Sequence, residues 1–522
     1  MGQAGVLTAR ATAIGLSLVG ALSLPAWSDA CAELSTLDLP QTRITLAVQV
    51  AAGFLDPPGR TPPLEELGAI CRVVGVTEPE VRFEVWMPVV GWNGKFNGVG
   101  NGGMAGTISF GAMAAAVARG YATASTDTGH VASGNAFDAS WALGRPDLIE
   151  DFGHRALHLT TVHAKKIVER YYGSAPRHSY YTGCSKGGQQ GLMEAQRYPE
   201  DYDGIVAGNP ANDWTRFYLG AHLWYALATL DDQESYISPE KAKILGAAVN
   251  EACDTIDGIA DGVLDDPRLC KLDPASLVCP AGHDGHDCLS AKQAAAVAKI
   301  WGGSKDSNGE TIYPGLVPGG EGSAGGWSTW VTGADPFRGL HWLAAEGFLK
   351  NFVFDDPNWN FRTFDYERDL PIAMGKLSRA LDSTDPDLRQ LEERGAKLIV
   401  YHGWADPDIS PLASIDYYDS VVDELGPRSD RTAVDRTRDF FRLFLVPGMG
   451  HCRGGPGTDR FDALSALESW VERGEAPNRI IASRMSGDDV ERTRPLCPYP
   501  QVARWDGRGS TDEAASFRCE SP

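Results

Sequence analysis

The chain has 522 residues, 43% hydrophobic and 22% charged, with a formal net charge of −22. The length suits one large domain carrying an insertion, or two domains, with a sizeable core. The negative charge excludes nucleic-acid binding through a basic face of the whole chain, and neither repeats nor low-complexity tracts are evident.

The N-terminus reads as a secretory signal peptide over residues 1–30. Arg10 supplies the positive start, Ala13–Ala26 the apolar run, and "AWSDA" the small residues around a cleavage near Ser28 or Ala30. The run is too short for a membrane anchor, and no other stretch is long and apolar enough to span a bilayer. A secreted or periplasmic protein is therefore expected. In an oxidising compartment, ten cysteines read as a disulfide framework. Cys253 lies near Cys270, Cys279 near Cys288, and Cys497 near Cys519, while Cys31 and Cys71 bracket the start of the mature chain. Cys184 and Cys452 remain. Local pairs cost the least loop-closure entropy, but spacing alone does not fix connectivity. The close C-x-x-C spacing of a zinc site is absent.

Strand-like runs come first: "VRFEVWMPVVGWNGKFNGVGNGGMAG", then "YATASTDTGH". "ALHLTTVHAKKIVERYYG" has apolar residues at helical spacing. "HSYYTGCSKGGQQGLMEAQRYP" reads as strand, Gly-rich turn and helix, and "YDGIVAGNPA" as a buried strand. Strand, helix, strand in succession predicts a parallel sheet with right-handed crossovers. From about Asp213 helical stretches, cysteine pairs and Gly-rich loops take over, and Trp and Phe are dense from Trp327 to Phe364. A core strand returns at "KLIVYHGWAD", another at "FFRLFLVPGMGHC", and "ALSALESWVERG" is a closing helix. The division is a sheet domain in two parts, 31–212 and 395–522, around an insertion at 213–394.

Gly183-Cys184-Ser185-Lys186-Gly187 fits G-x-S-x-G between a strand and a helix, the turn that exposes a nucleophilic serine in α/β-hydrolases. That fold orders serine, acid and histidine along the chain. His451, in the loop after "LFLVPGMG", is the histidine candidate; Asp406, just past "KLIVYHGWAD", is the acid, with Asp408 the near alternative. A Ser185–His451 hydrogen bond would bring their neighbours Cys184 and Cys452 within the roughly 7 Å Cα separation a disulfide needs. The oxyanion amides should be Lys186 and one from the loop "GNGGMAG", where Gly102 and Gly103 both qualify. "CDTIDGIADGVLDDPRLC" crowds five aspartates with no basic residue from 254 to 266. Carboxylates interleaved with backbone carbonyls suit Ca²⁺, although the spacing is not that of an EF-hand.

With these motifs, and with "GCSKGGQQGLMEAQRYPEDYDGIVAGNPA" and "VPGMGHCRGGPGTDRFD", nearly the whole mature chain resembles the tannase and feruloyl esterase family, which also contains a terephthalate monoester hydrolase. The resemblance implies an α/β-hydrolase fold with a large lid domain inserted between nucleophile and acid, and a triad of Ser185, Asp406 and His451. It implies oxyanion amides at Gly103 and Lys186. It implies a structural Ca²⁺ held by the side chains of Asp254, Asp257 and Asp261 and the carbonyls of Ile259 and Val263, with no organic cofactor. The disulfides it implies are Cys184–Cys452, Cys31–Cys71, Cys253–Cys270, Cys279–Cys288 and Cys497–Cys519. The expected substrate is a small aromatic ester of feruloyl, galloyl or chlorogenate type. Lys186 stands where the terephthalate enzyme carries an acid, and the stretch "HWLAAEGFLKNFVFDDPNWNF" looks more like feruloyl esterases. Trp327, Trp330, Phe348 and Phe352 are candidates to cover a phenolic ring, though core packing suits each of them individually. A terephthalate-type monoester hydrolase and a non-catalytic calcium-stabilised envelope protein are the alternatives.

Overall fold

Strands buried on both faces are apolar on both, and the central strands here follow that rule. In the computed structural model, which describes residues 1–2, 27–57, 62–281, 285, 287–427 and 432–521, nine strands form one sheet. They are β1 Thr42–Val50, β2 Ile70–Thr77, β3 Val81–Pro88, β4 Lys95–Val99, β5 Ala122–Thr126, β6 His178–Cys184, β7 Gly204–Gly208, β8 Lys397–Gly403 and β9 Phe441–Val446. Their order is β1-β2-β3-β5-β4-β6-β7-β8-β9. The first four in that order pair antiparallel, and from β5 onward every pairing is parallel. Residues 3–26 of the expected signal segment, including Arg10 and Ala13–Ala26, lie outside the described residues. Among the described residues no helix is long and apolar enough to cross a membrane.

Side chains alternate across the sheet. Tyr180, Val206, Ile399 and Phe444 feed one core, while Tyr181, Ile205, Leu398 and Leu443 feed the other. Helices cover both faces. The longer helices of the chain are α1 Phe110–Ala118, α2 Ala156–Tyr172, α3 Lys186–Arg197, α4 Pro239–Cys253, α5 Ala291–Gly302, α6 Leu340–Phe348, α7 Tyr366–Leu381, α8 Pro411–Leu425 and α9 Ala463–Arg473, of which α4 to α7 belong to the inserted segment. Residues of α2, α3 and α8 pack on one face and those of α9 on the other. The parallel strands share one carboxyl edge. There β4 runs into Gly100–Gly106, β6 into Ser185, β7 into Asn209, β8 into Asp406 and β9 into His451. Ligands of open α/β sheets bind outside that edge.

Between β7 and β8 the described residues of 213–394 add no strand to this sheet. The segment builds its own core, in which Trp327, Phe348 and Phe352 are buried, and it recruits Met104, Ala105, Ile149 and Phe152 from earlier in the chain. It is thereby packed onto the carboxyl edge rather than tethered beside it.

Helix α3 approaches the end of β7 so closely that only glycine fits. A Cβ on Gly188 would lie 2.3 Å from the Gly208 oxygen and 2.7 Å from Pro210 Cα, both backbone atoms that cannot swing away. Gly188→Ala is expected to destabilise the fold by about 1–3 kcal/mol, as overpacking does. Its thermal midpoint against wild type is the check, and an unchanged midpoint would contradict this packing.

Candidate active site

Ser185 sits between β6 and α3 at φ 65° and ψ −121°. An L-residue pays strain there, of order 1–3 kcal/mol, and such strain gathers at functional sites. Backbone bonds hold the turn: the Ser185 N–H donates to the Gly208 carbonyl (2.9 Å) and the Gly187 N–H to the Asn101 carbonyl (2.8 Å). Gln190 and Asn101 exchange two hydrogen bonds of 3.0 Å, so α3 is clamped to the loop after β4. Asn209 (φ 36°) and Cys452 (φ 62°) are likewise left-handed.

His451 Nδ1 lies 3.0 and 3.2 Å from the two carboxylate oxygens of Asp406. Asp406 is buried, and its charge is met from several sides. Its Oδ1 accepts the N–H groups of Asp408 (2.8 Å) and Ile409 (3.1 Å), and its Oδ2 accepts Asn209 Nδ2 (2.7 Å). Buried His402 Nε2 is 3.2 Å from Oδ2. Burial works against the Asp406 charge, but His451 and His402 hold the carboxyl well below its usual range. Burial likewise disfavours the His451 cation, yet Asp406, and then Asp408, push its pKa up to about 9.

Ser185 and His451 share the wall of one cavity of about 480 Å³, together with Gly102, Gly103, Asp408 and the aromatic rings of Phe137, Trp214, Phe217, Tyr218 and Trp330. The described hydrogen bonds include none between the Ser185 hydroxyl and His451. Trp330 meets the His451 ring edge-on at 4.9 Å. Of the four aromatic residues singled out from the sequence, Trp330 alone lines this cavity; Trp327, Phe348 and Phe352 belong to the core of the inserted segment.

The Cys184–Cys452 disulfide joins the Ser185 turn to the His451 loop, with Cα atoms 6.1 Å apart across 268 residues of chain. The other four disulfides are Cys31–Cys71, Cys253–Cys270, Cys279–Cys288 and Cys497–Cys519. Lys186 opens α3, so its N–H has no intrahelical acceptor. Its side chain turns inward, 3.9 Å above Phe152 and 5.0 Å from Trp214, with Nζ 2.5 Å from Gln189 Oε1; burial lowers its pKa. Gly103, at φ 55°, is irreplaceable on steric grounds, because a Cβ would lie 2.5 Å from the Ala136 oxygen.

Asp408, the alternative acid, takes a different position. Its Oδ1 accepts from His222 Nε2 (2.8 Å), while its Oδ2 lies 3.6 Å from His451 Nε2. Burial opposes its charge, but the neighbouring histidines hold its pKa near about 2. Sequence reasoning missed His222, His341, His402 and Asn209. Only Asn209 carried a local signal, its place just past the end of β7.

In the acidic loop, Asp254 Oδ1 accepts the N–H groups of Asp261 (3.2 Å) and Gly262 (2.8 Å), and Asp257 Oδ1 accepts that of Ile259 (2.9 Å). Asp261 Oδ2 pairs with Arg494 (2.6 Å) and Arg492 (3.1 Å), cations invisible in the local sequence. Burial first, then neighbouring carboxylates, push Asp265 up to about 7, and burial raises Asp257 as well. Among the described residues, the groups of three or more His, Cys, Asp or Glu with ligand atoms all within 4.8 Å are His222–His341–Asp408 and His158–Glu194–Asp201; the loop aspartates do not form one.

A mixed sheet with a strained turn, a buried Asp–His pair and a common cavity at its carboxyl edge defines an α/β-hydrolase. The chain belongs to the tannase and feruloyl esterase family, whose model matches residues 65–520, and it is therefore an esterase. It is 41% identical to an uncharacterized esterase of Xanthomonas campestris pv. campestris, over 97% of this chain and 94% of that protein. It is 35% identical to the mono(2-hydroxyethyl) terephthalate hydrolase of Piscinibacter sakaiensis, over 88% and 85% respectively. The crystal structure of feruloyl esterase B from Aspergillus oryzae superposes with a TM-score of 0.86 at 27% identity, covering 95% of this chain and 100% of that one.

Removing the long-range disulfide with Cys184→Ala and Cys452→Ala should lower the thermal midpoint. The chain-entropy argument sets the loss at up to about 5 kcal/mol. Calorimetry of the oxidised double variant measures it, and an unchanged midpoint would mean that the bond constrains nothing.

Proposed function

We propose that the protein hydrolyses esters of aromatic, phenolic acids through an acyl-enzyme on Ser185. The observation that carries this reading is the strained Ser185 turn in an aromatic-lined cavity shared with the His451–Asp406 pair. Asp406 would accept the Nδ1–H of His451 and stabilise the imidazolium. His451 Nε2 would take the Ser185 proton as the hydroxyl oxygen attacks the ester carbonyl. The N–H groups of Gly103 and Lys186 would hold the tetrahedral oxyanion. His451 would then return the proton to the leaving alcohol, and water would release the acid. In this reading the inserted segment acts as a lid, since it supplies Trp214, Phe217, Tyr218 and Trp330 to the cavity wall. The apolar rings suit an aromatic acyl group. The relative named for mono(2-hydroxyethyl) terephthalate makes a terephthalate monoester the second substrate to try.

The reading includes a structural Ca²⁺ on the side chains of Asp254, Asp257 and Asp261 and the carbonyls of Ile259 and Val263. The donor set is all hard oxygen, which fits calcium. Burial first, and neighbouring carboxylates second, disfavour the charges of Asp257 and Asp265, and a divalent cation would offset both. The ion would brace the loop closed by Cys253–Cys270. It also includes export to an oxidising compartment, supported by five disulfides and the N-terminal signal pattern.

Methyl ferulate, methyl gallate, chlorogenate, mono(2-hydroxyethyl) terephthalate and a short p-nitrophenyl ester should be assayed with wild type and Ser185→Ala. Turnover of an aromatic ester that falls by about 10³-fold or more in the variant is expected; no turnover by folded, oxidised, calcium-loaded protein would sink the phenolic-ester reading. The base must be neutral to act, and its pKa is raised, so kcat/KM should climb with pH to a midpoint above 6.5, the ordinary histidine value. Asp408→Asn removes one raising charge and should move that limb to lower pH. A limb at or below 6.5 in wild type would contradict the electrostatics. Chelation with EGTA should lower the thermal midpoint and added Ca²⁺ restore it; indifference to both would remove calcium from the loop.

A further inference from the structure

Behind the cavity wall, where His222 and Asp408 line it, His341 completes a cluster that forms no bond and moves no proton in the proposed hydrolysis. His222 and His341 stack with ring centroids 4.5 Å apart, and both face the Asp408 carboxylate. His222 Nε2 is 2.8 Å from Asp408 Oδ1, and His341 Nε2 is 3.2 Å from the same oxygen without completing a hydrogen bond. His341 is fully buried with neither ring nitrogen hydrogen-bonded, and the Nδ1 of buried His222 is unpartnered too. Unpaired polar atoms in a core are expensive, and each needs an explanation.

We infer that His222, His341 and Asp408 form a binding site for a first-row divalent transition ion of the Zn²⁺ or Co²⁺ type, set in the wall of the catalytic cavity and separate from the acidic loop. Two imidazoles and a carboxylate are the donor set such ions prefer, whereas Ca²⁺ takes oxygen alone. The spacing is close to what is required. Ligand atoms about 2.0 Å from a tetrahedral ion stand about 3.3 Å from one another, and all three ligand atoms here lie within 4.8 Å. A small outward shift of His222 from its 2.8 Å contact opens the place for the ion. A neutral imidazole carries a lone pair on one ring nitrogen, which is what the ion would take. On binding, the Nε2 proton of His222 moves to its unpartnered Nδ1, and no net proton is released. Asp408 and His222 line the cavity, which gives the ion its way in and leaves its remaining positions to solvent. Because the Nδ1 atoms have no acceptor to orient them, the affinity is moderate, below that of a structural zinc site.

Occupancy would matter to turnover. The other Asp408 oxygen is 3.6 Å from His451 Nε2. A bound dication cancels that carboxylate's charge and opposes the imidazolium that His451 must become. Zn²⁺ should therefore inhibit, and inhibition and binding should track the same ligands.

The test uses oxidised, Ca²⁺-saturated full-length protein titrated with Co²⁺. The expected result is the intense visible absorption of four- or five-coordinate Co²⁺ at one equivalent, displaced by Zn²⁺. His341→Gln and His222→Gln, which lie on different helical segments, should each weaken binding by about tenfold or more and raise the Zn²⁺ concentration needed for inhibition in step. Far-UV circular dichroism and the thermal midpoint identify whichever variant remains folded, and one folded variant suffices. If neither is folded, Zn²⁺ difference spectra of His451 and the other histidines by NMR in wild type decide, with shifts at His222 and His341 expected. Absence of the Co²⁺ bands, bands unchanged in a folded variant, or histidine shifts confined to residues outside this group would overturn the assignment.

Discussion

One buried carboxylate organises the carboxyl edge of the sheet in this molecule. Asp406 is buried away from bulk solvent, so its charge must be met by protein groups. Those groups come from three places: Asn209 after β7, the Asp408 and Ile409 amides and His402 with β8, and His451 after β9. Keeping Asp406 ionised therefore requires three strand ends to be in register. It also fixes the His451 ring, because the same carboxylate binds Nδ1 and leaves Nε2 facing the cavity.

The Ser185 turn is held to this arrangement by covalent and noncovalent means. The disulfide from Cys184 to Cys452 spans 268 residues, so it links two loops that would otherwise be related only through the sheet. Loops are the mobile part of most folds. Here the left-handed backbone at Ser185, Asn209 and Cys452 is tolerated because β6, β7, α3 and the disulfide over-determine it. The inserted segment closes the other side, with its aromatic core continuous with residues that approach from the sheet domain, such as Phe152 and Met104.

Much of this was legible in the chain because the signals are local. Continuous apolar runs become the central strands, since a strand buried on both faces must be apolar at successive positions. G-x-S-x-G marks the turn because bulkier residues do not fit it: a Cβ on Gly183 would lie 2.5 Å from the Gly187 oxygen. Adjacent Cys-Ser and His-Cys pairs mark the link between two loops within the sequence itself. The aromatic residues were less legible: density of Trp and Phe marks an apolar region but not which ring faces a cavity. Trp330 does, while Trp327, Phe348 and Phe352 pack inside. The acidic loop was half legible, for its aspartates are contiguous, but the arginines that meet Asp261 arrive from a hairpin more than two hundred residues later.

The sequence by itself determined the class of fold, the strand-turn-helix at Ser185, the order of Ser185, Asp406 and His451 along the chain, and the even set of cysteines. Each is written within a few residues or in the order of motifs. Only the tertiary structure decided that His222 and His341 converge on Asp408, that His402 and Asn209 attend Asp406, and that Lys186 buries its amine between Phe152 and Trp214. Those contacts join residues whose separation along the chain sets no distance in space. Their geometry follows from how the inserted segment packs on the sheet edge, and no periodicity or spacing encodes that packing.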